Sequence, residues 1–174
     1  AVANFDELEK RKDEVKGKIV YYHSQFDPTT IQTFKAYSES GVYRRSGASR
    51  AAKYGAVGVM IHSLSTAPDN APHTGTMVYD DAYPKIPAVA LGPNDAKKVW
   101  NQSRNKQLRV QIQTYGFFLP DADENNVVAE IKGSEFPNEI ITVGGHLDSW
   151  DVNEGAHDDG AGIVQTMEIL RTMK

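Results

Sequence analysis

A short apolar run that opens directly onto histidine and carboxylate residues restricts this chain more than any other feature. Residues 140–143 read Ile-Ile-Thr-Val, the composition of a short buried strand. His146 and Asp148 follow it two residues apart, so both side chains project to the same side of an extended backbone. Asp158 and Asp159 then precede apolar residues at helical spacing. The segment therefore predicts a strand, a polar loop, a carboxylate pair and the start of a helix.

The side chains of this loop are those that bind a metal ion. One imidazole and several carboxylates that converge at the end of a strand suit a divalent cation, zinc first. Without a metal, His146 and Asp148 could instead be a hydrogen-bonded pair at the strand end. The carboxylates of Asp158 and Asp159 could be helix-start residues favoured by the helix dipole, and for Asp159 we prefer that interpretation. For His157 we expect packing or solvent contact.

Composition excludes several classes of function. With a net charge of −4 and no cluster of Lys and Arg, the chain has no electrostatic case for binding nucleic acid. The absence of cysteine excludes a disulfide framework and a thiolate ligand or nucleophile. No apolar run approaches the ~20 residues of a membrane span. Arg44, Arg45 and Arg50 are interpreted as a solvated face, and His73 as a turn residue.

Apolar periodicity and turn residues predict an α/β protein in two parts. We place the boundary within 116–124, giving a first part over 1–118 and a second part over 119–174. The second part is too small to be a stable enzyme alone, and the chain ends just after a helix, so we expect a longer parent protein. Helices are predicted at 4–15, 27–39, 46–54, 93–101 and after Gly160, strands at 17–22, 56–61, 86–91, 108–115, 126–132 and 138–143, and a loop at 63–83.

Two motifs carry a resemblance to a known family. Residues 145–152, Gly-His-Leu-Asp-Ser-Trp-Asp-Val, and residues 155–160, Gly-Ala-His-Asp-Asp-Gly, resemble the co-catalytic zinc exopeptidases, most closely their plasma glutamate carboxypeptidase (carboxypeptidase Q) branch. The first part looks like the protease-associated domain inserted in that family. Its marks lie at 17–20, 51–56, 72–75 and 84–87. The resemblance implies a mixed sheet or barrel with flanking helices over 1–118, followed by the first strands and one helix of a zinc-peptidase domain.

The resemblance also implies roles for individual residues. His146 would ligate one zinc ion, and Asp158 would bridge the two ions of the active site. Asp148 would accept a hydrogen bond from the other ring nitrogen of His146 and so fix its tautomer. A Glu-Glu pair would supply the general base and a ligand, and a further acidic residue and a histidine would complete the sites. These remaining residues cannot be assigned to positions of this sequence.

The activity that the resemblance implies is hydrolysis of a peptide or dipeptide at a free terminus by a metal-activated water. It leaves aminopeptidase and carboxypeptidase or dipeptidase activity open, and it implies a secreted or periplasmic location and, as a further expectation, a homodimer. We expect the 174-residue chain to be inactive alone. The alternative function is a non-catalytic binding module, whose protease-associated part covers a cleft or contacts a partner subunit, or a receptor-type relative that kept the motif.

Overall fold

The computed structural model describes residues 1–67, 69–104, 108–150 and 153–174. The chain divides into two compact units, residues 1–118 and residues 119–174. Asp151 and Val152, which belong to the first of the two motifs, lie outside the described residues. None of the described helices has the length and apolar character needed to cross a bilayer.

The described part of the first unit is built on three parallel strands. Strand β2 is central, with β1 on one side and β3 on the other. In the register, Tyr21 lies beside Met60 and Met60 lies beside Val89. Parallel neighbours require crossovers. The connection from β1 to β2 contains α2, whereas the described part of the connection from β2 to β3 contains no helix. The elements in chain order are α1 (Phe5–Lys10), a 3₁₀ turn (Lys12–Glu14), β1 (Ile19–Tyr22), α2 (Thr33–Ala52), β2 (Gly58–His62), β3 (Ala88–Leu91) and α3 (Pro93–Ser103).

Both faces of the central strand β2 are buried, and β3 is half-buried. On one face, Val59 and Ile61 of β2 pack in a cluster with the small residues Ala48 and Ala51 of α2. On the other face, Met60 joins a cluster formed mainly with α3. A strand covered on both faces needs a continuous apolar sequence rather than an alternating one. That is why β1, β2 and β3 are all within predicted strands or one residue of them.

Two adjacent tyrosines attach the helices to the sheet. The hydroxyl of Tyr22 donates to the carbonyl of Gly47 in α2, and that of Tyr21 donates to the carbonyl of Ala96 in α3, each at 3.1 Å. Successive side chains on a strand point to opposite faces, so each hydroxyl reaches a different helix. Burial raises the pKa of Tyr21 to about 12 and also raises that of Tyr22.

The predictions for helices are confirmed in part. Two predicted helices are present: α3, which starts with Pro93 after Gly92, and the helix of the second unit. Asn4 is the N-cap of α1, as predicted, and its side chain accepts a hydrogen bond from the backbone N–H of Glu7. The prediction that a helix starts at Asp27 is wrong, because α2 starts at Thr33. The Asp27 carboxylate accepts from the backbone and hydroxyl of Thr29 in a local turn.

The predicted break between two helices is also wrong, because α2 is one continuous helix. Ser46, which we read as a helix start, donates its hydroxyl to the carbonyl of Val42 within the helix. Gly41 and Gly47 both lie inside this helix. The described part of 63–83 contains neither helix nor strand, as predicted.

The strands predicted at 108–115, 126–132 and 138–143 are wrong for this structure. The described residues there form no strand, and Val127, Val128 and Ile140 are each more than 80% exposed. A strand exists only when its N–H and C=O groups pair with a neighbour, and no described residue pairs with these segments. The mixed sheet or barrel expected over 1–118 is likewise replaced, in the described part, by the three-stranded parallel sheet.

Replacing Gly47 by alanine is expected to destabilise the first unit. An added methyl group would meet ring atom Cε2 of Tyr22 at 2.8 Å, and this ring is buried and tied to the same helix. We expect the overpacking to cost about 1–3 kcal/mol. The better helix propensity of alanine opposes it by about 1 kcal/mol. Urea unfolding of the Gly47→Ala variant should give a lower midpoint.

Gly41 provides the matched control on the same helix. An added methyl group there meets only Leu64, at an ordinary 3.9 Å. Gly41→Ala should therefore leave stability unchanged or raise it by up to about 1 kcal/mol. Equal midpoints for the two variants would contradict the proposed packing of Tyr22 against α2.

Candidate metal centre

A closed loop brings the two motifs of the second unit together. The loop precedes helix α4 (Gly160–Met173). The backbone N–H of Gly160 donates to the carbonyl of Gly155 at 2.8 Å, and Gly155 has a φ of 65°. A side chain there would be strained and would also meet Ser149 at 2.7 Å, so the turn requires glycine. The loop returns the chain to the end of the 140–143 segment, where the first motif begins.

The structure brings His146, Asp148 and Asp158 into contact. Nε2 of His146 lies 3.0 Å from Oδ1 of Asp158. Nδ1 lies 2.8 Å from the backbone carbonyl oxygen of Asp148 and 3.2 Å from its carboxylate. Each ring nitrogen of His146 therefore faces one aspartate, Asp148 at Nδ1 and Asp158 at Nε2. The side chains are solvent-accessible, with His146 about half exposed.

The two acceptors determine the chemistry of the imidazole. The carbonyl of Asp148 first, and then the carboxylate of Asp158, raise the pKa of His146 above its ordinary value. A neutral imidazole carries one N–H and can therefore satisfy only one of two acceptors. When Nδ1–H donates to Asp148, Nε2 has a lone pair that faces the Asp158 carboxylate. A cation between these two atoms, either a proton or a metal ion, satisfies both.

The pair fits zinc by donor type and spacing. Two ligand atoms bound at ~2.1 Å to a tetrahedral zinc lie ~3.4 Å from each other. The observed Nε2–Oδ1 distance of 3.0 Å would need only a small opening. In the described part of the chain, however, no group of three or more His, Cys, Asp or Glu residues is arranged to hold a metal ion. The pair therefore supplies part of a ligand set and not a complete one.

Asp159 contributes a contact that the sequence reasoning missed. It occupies the cap position of α4, as a helix-start residue would, but its side chain makes no cap hydrogen bond. Its Oδ2 instead accepts from the backbone N–H of His146 at 3.0 Å. Gly145 and Gly162 both lie against this carboxylate, where any side chain would collide with it. The two glycines were the available signal, because small residues on both sides of an acidic residue allow a close approach.

His157 is exposed, in accord with the expected solvent contact. The peptide bond between Asp158 and Asp159 is cis. The arrangement is therefore one imidazole held from three sides: by Asp148 at Nδ1, by Asp158 at Nε2 and by Asp159 at its backbone.

Replacing Asp158 by asparagine should lower the pKa of His146 in the metal-free chain. The raised pKa means that the charged imidazole and its hydrogen bonds persist below the ordinary value of 6.5 and are lost as the pH rises through the raised pKa. The Asp158 carboxylate is one of the causes of the raised pKa. Its replacement by an amide should therefore move the pKa of His146 towards the ordinary value. Proton NMR titration of the His146 ring measures it.

Glu154→Gln is the control for this titration, because it removes one negative charge from an exposed position of the same loop. Its effect on the pKa of His146 should be negligible. If Asp158→Asn and Glu154→Gln gave the same titration curve, the His146–Asp158 contact would not exist in solution.

Comparisons with known proteins found a family match that includes this loop. Residues 126–174 match the family described as Peptidase family M28. Over 99% of its length the chain is 40% identical to carboxypeptidase Q of Mus musculus, and it covers 35% of that protein. A stretch of 48 residues, 28% of the chain, is 42% identical to 10% of a probable leucine aminopeptidase 2 of Aspergillus oryzae. The chain thus spans about a third of the length of the carboxypeptidases it matches.

A solved structure shows the same relationship in three dimensions. The crystal structure of a Peptidase M28 precursor from Shewanella amazonensis SB2B is similar to 92% of this chain, with a TM-score of 0.72 and 32% sequence identity. The similar part is 36% of that structure. The resemblance stated from the two motifs is confirmed.

Proposed function

We propose that the chain belongs to Peptidase family M28, a family of co-catalytic zinc exopeptidases, and that the intact protein hydrolyses peptides or dipeptides at a free terminus. The observation that carries the proposal is the 3.0 Å approach of His146 Nε2 to Asp158 Oδ1, with the other ring nitrogen engaged by Asp148. That arrangement is what a metal-binding histidine and its orienting partner require.

The proposed roles follow from the donor atoms. His146 offers Nε2 as a neutral ligand, because Asp148 keeps the proton on Nδ1. Asp158 offers a carboxylate that can lie between two dications and offset part of their mutual repulsion. Asp159 fixes the backbone at His146 and so sets where the ring stands. Zinc, when bound, supplies Lewis acidity towards a carbonyl and acidifies a water molecule. The general base and the other ligands are not assigned to this chain.

We also propose the domain assignment that the motifs suggested. Residues 1–118 would be a protease-associated domain, and residues 119–174 would begin the zinc-peptidase domain. The division of the chain between 118 and 119, and the start of the family match at 126, support this assignment. The secreted or periplasmic location is proposed from family likeness alone, and a homodimer stays a prediction.

Removing either proposed ligand should abolish tight zinc binding. In the intact protein, His146→Ala and Asp158→Ala should each lower zinc affinity by at least about 100-fold, because each removes a metal bond. Asp148→Ala should cost about 10- to 100-fold, the usual loss for an orienting partner. Zinc titration calorimetry with elemental analysis measures both stoichiometry and affinity.

His157→Ala is the matched control, since it removes an imidazole next to Asp158 and should leave zinc binding unchanged. Unchanged zinc content in both His146→Ala and Asp158→Ala would overturn the site. Hydrolysis of dipeptides and short peptides by the intact protein is measured in parallel. Zinc binding without any turnover would favour the alternative of a binding module, and turnover by the 174-residue chain alone would contradict its expected inactivity.

A further inference from the structure

The first unit contains a small cavity on the α2 face of its sheet. Its volume is about 110 Å³. The walls include Val59, Ile61 and Met77, together with the small side chains of Ala88 and Ala90. For comparison, an apolar cavity of about 150 Å³ is enough to bind benzene. This space therefore suits a branched aliphatic group of four or five carbons.

One charged side chain, Arg44 of α2, lines this apolar space. Its NH1 donates to the hydroxyl of Tyr37 and to the carbonyl of Thr74, both at 2.8 Å. No carboxylate of the described residues lies within ion-pair distance of it. Its Nε is enclosed and has no hydrogen-bond partner. The guanidinium thus has two neutral acceptors, the ring of Tyr37 with its centroid 5.2 Å from Cζ, one enclosed donor without an acceptor, and no anionic partner among the described residues.

The guanidinium is also held in one position. Nε2 of His73 lies 3.1 Å from the hydroxyl oxygen of Tyr37. Burial and, second, the charge of Arg44 lower the pKa of His73. The His73 ring is therefore neutral and can accept a hydrogen bond from the Tyr37 hydroxyl. On the opposite side, Gly75 has a φ of 146°, and a methyl group there would meet Cζ of Arg44 at 2.7 Å. Thr74 and Gly75 therefore form a close support for the cation.

An enclosed donor without an acceptor is costly, and a half-buried guanidinium gains from an anionic partner. A ligand that complements this site accepts hydrogen bonds, carries negative charge to offset the guanidinium, and leaves its apolar part in the cavity. A carboxylate with a short branched chain meets all three conditions. A phosphate or sulfate meets the first two but leaves the apolar cavity unfilled.

We propose that this cavity binds a small branched aliphatic carboxylate, with the carboxylate on Arg44 and the hydrocarbon against Val59 and Ile61. The site lies in the first unit, and the proposal does not rest on peptidase activity. Two sources offer the same chemistry: a free short-chain acid, or the carboxyl-terminal residue of a peptide with an aliphatic side chain.

The test uses the 174-residue chain and calorimetry with three probes. The probes are 3-methylbutanoate, its uncharged amide of the same shape, and N-acetyl-alanyl-leucine, which presents the same group at a peptide terminus. For a probe of this size we expect a Kd on the order of 1 mM for 3-methylbutanoate. The amide should bind at least about tenfold more weakly, since it loses the charge-assisted hydrogen bond. Tighter binding of the acetylated dipeptide than of the free acid identifies a peptide terminus as the source; the reverse identifies a free acid.

Variants separate the carboxylate contact from the cavity. Arg44→Met should weaken 3-methylbutanoate roughly 10- to 100-fold, whereas Arg45→Met, at the adjacent exposed position of the same helix, should not change its affinity. Ala88→Leu fills the apolar space and should abolish binding of acid and amide alike. Urea unfolding establishes that the variants are folded, and Gly75→Ala, which displaces the guanidinium, replaces Arg44→Met if that variant does not fold.

Two results would overturn the proposal. One is the absence of binding by 3-methylbutanoate and by the acetylated dipeptide, which would mean that water alone occupies the space beside Arg44. The other is equal affinity of the acid for the unaltered chain and the Arg44→Met or Gly75→Ala variant.

Discussion

The burial of two consecutive tyrosine hydroxyls is the constraint on which the first unit depends. Tyr21 and Tyr22 lie on opposite faces of β1. Each buried hydroxyl donates a hydrogen bond to a carbonyl oxygen of a helix. A buried hydroxyl without a partner would cost about 1–3 kcal/mol. Helices α2 and α3 therefore cannot shift along the sheet without losing these bonds, and the residues they carry, including Arg44, keep fixed positions over it.

The second unit obtains local order in a different way. Few of its apolar side chains are covered: Val127, Ile140 and Ile141 are almost fully exposed. The order around His146 comes instead from polar contacts within the loop, from the turn at Gly155 and from the carboxylate of Asp159 on the backbone. These contacts hold His146 beside Asp158 although the neighbouring segments pair with no strand in the described part of the chain.

Sequence patterns predicted the features that depend on neighbouring residues. They did not predict features that depend on a partner far away in the sequence. The three strands of the sheet were predictable because their apolar runs are continuous, and the two-residue spacing of His146 and Asp148 placed both on one side. The extended segment 126–132 has the composition of a strand, but composition does not supply the neighbour that makes one. The contact of Asp159 with the backbone of His146 joins residues 13 apart, so spacing alone could not reveal it.

The environments of Arg11 and Arg44 show the same difference between contacts within a helix and contacts with distant segments. Arg11 is paired with Glu7 and Glu14, four and three residues away on the same stretch of helix and turn, and such pairs can be predicted from spacing. For Arg44, the sequence alone predicts a position on a solvated helix face. Its surroundings come from Tyr37, a loop carbonyl and the sheet, and they include no carboxylate among the described residues. The proposed aliphatic acid would place an anion beside this half-buried cation and a hydrocarbon chain in the apolar space, a combination that helical spacing alone could not suggest.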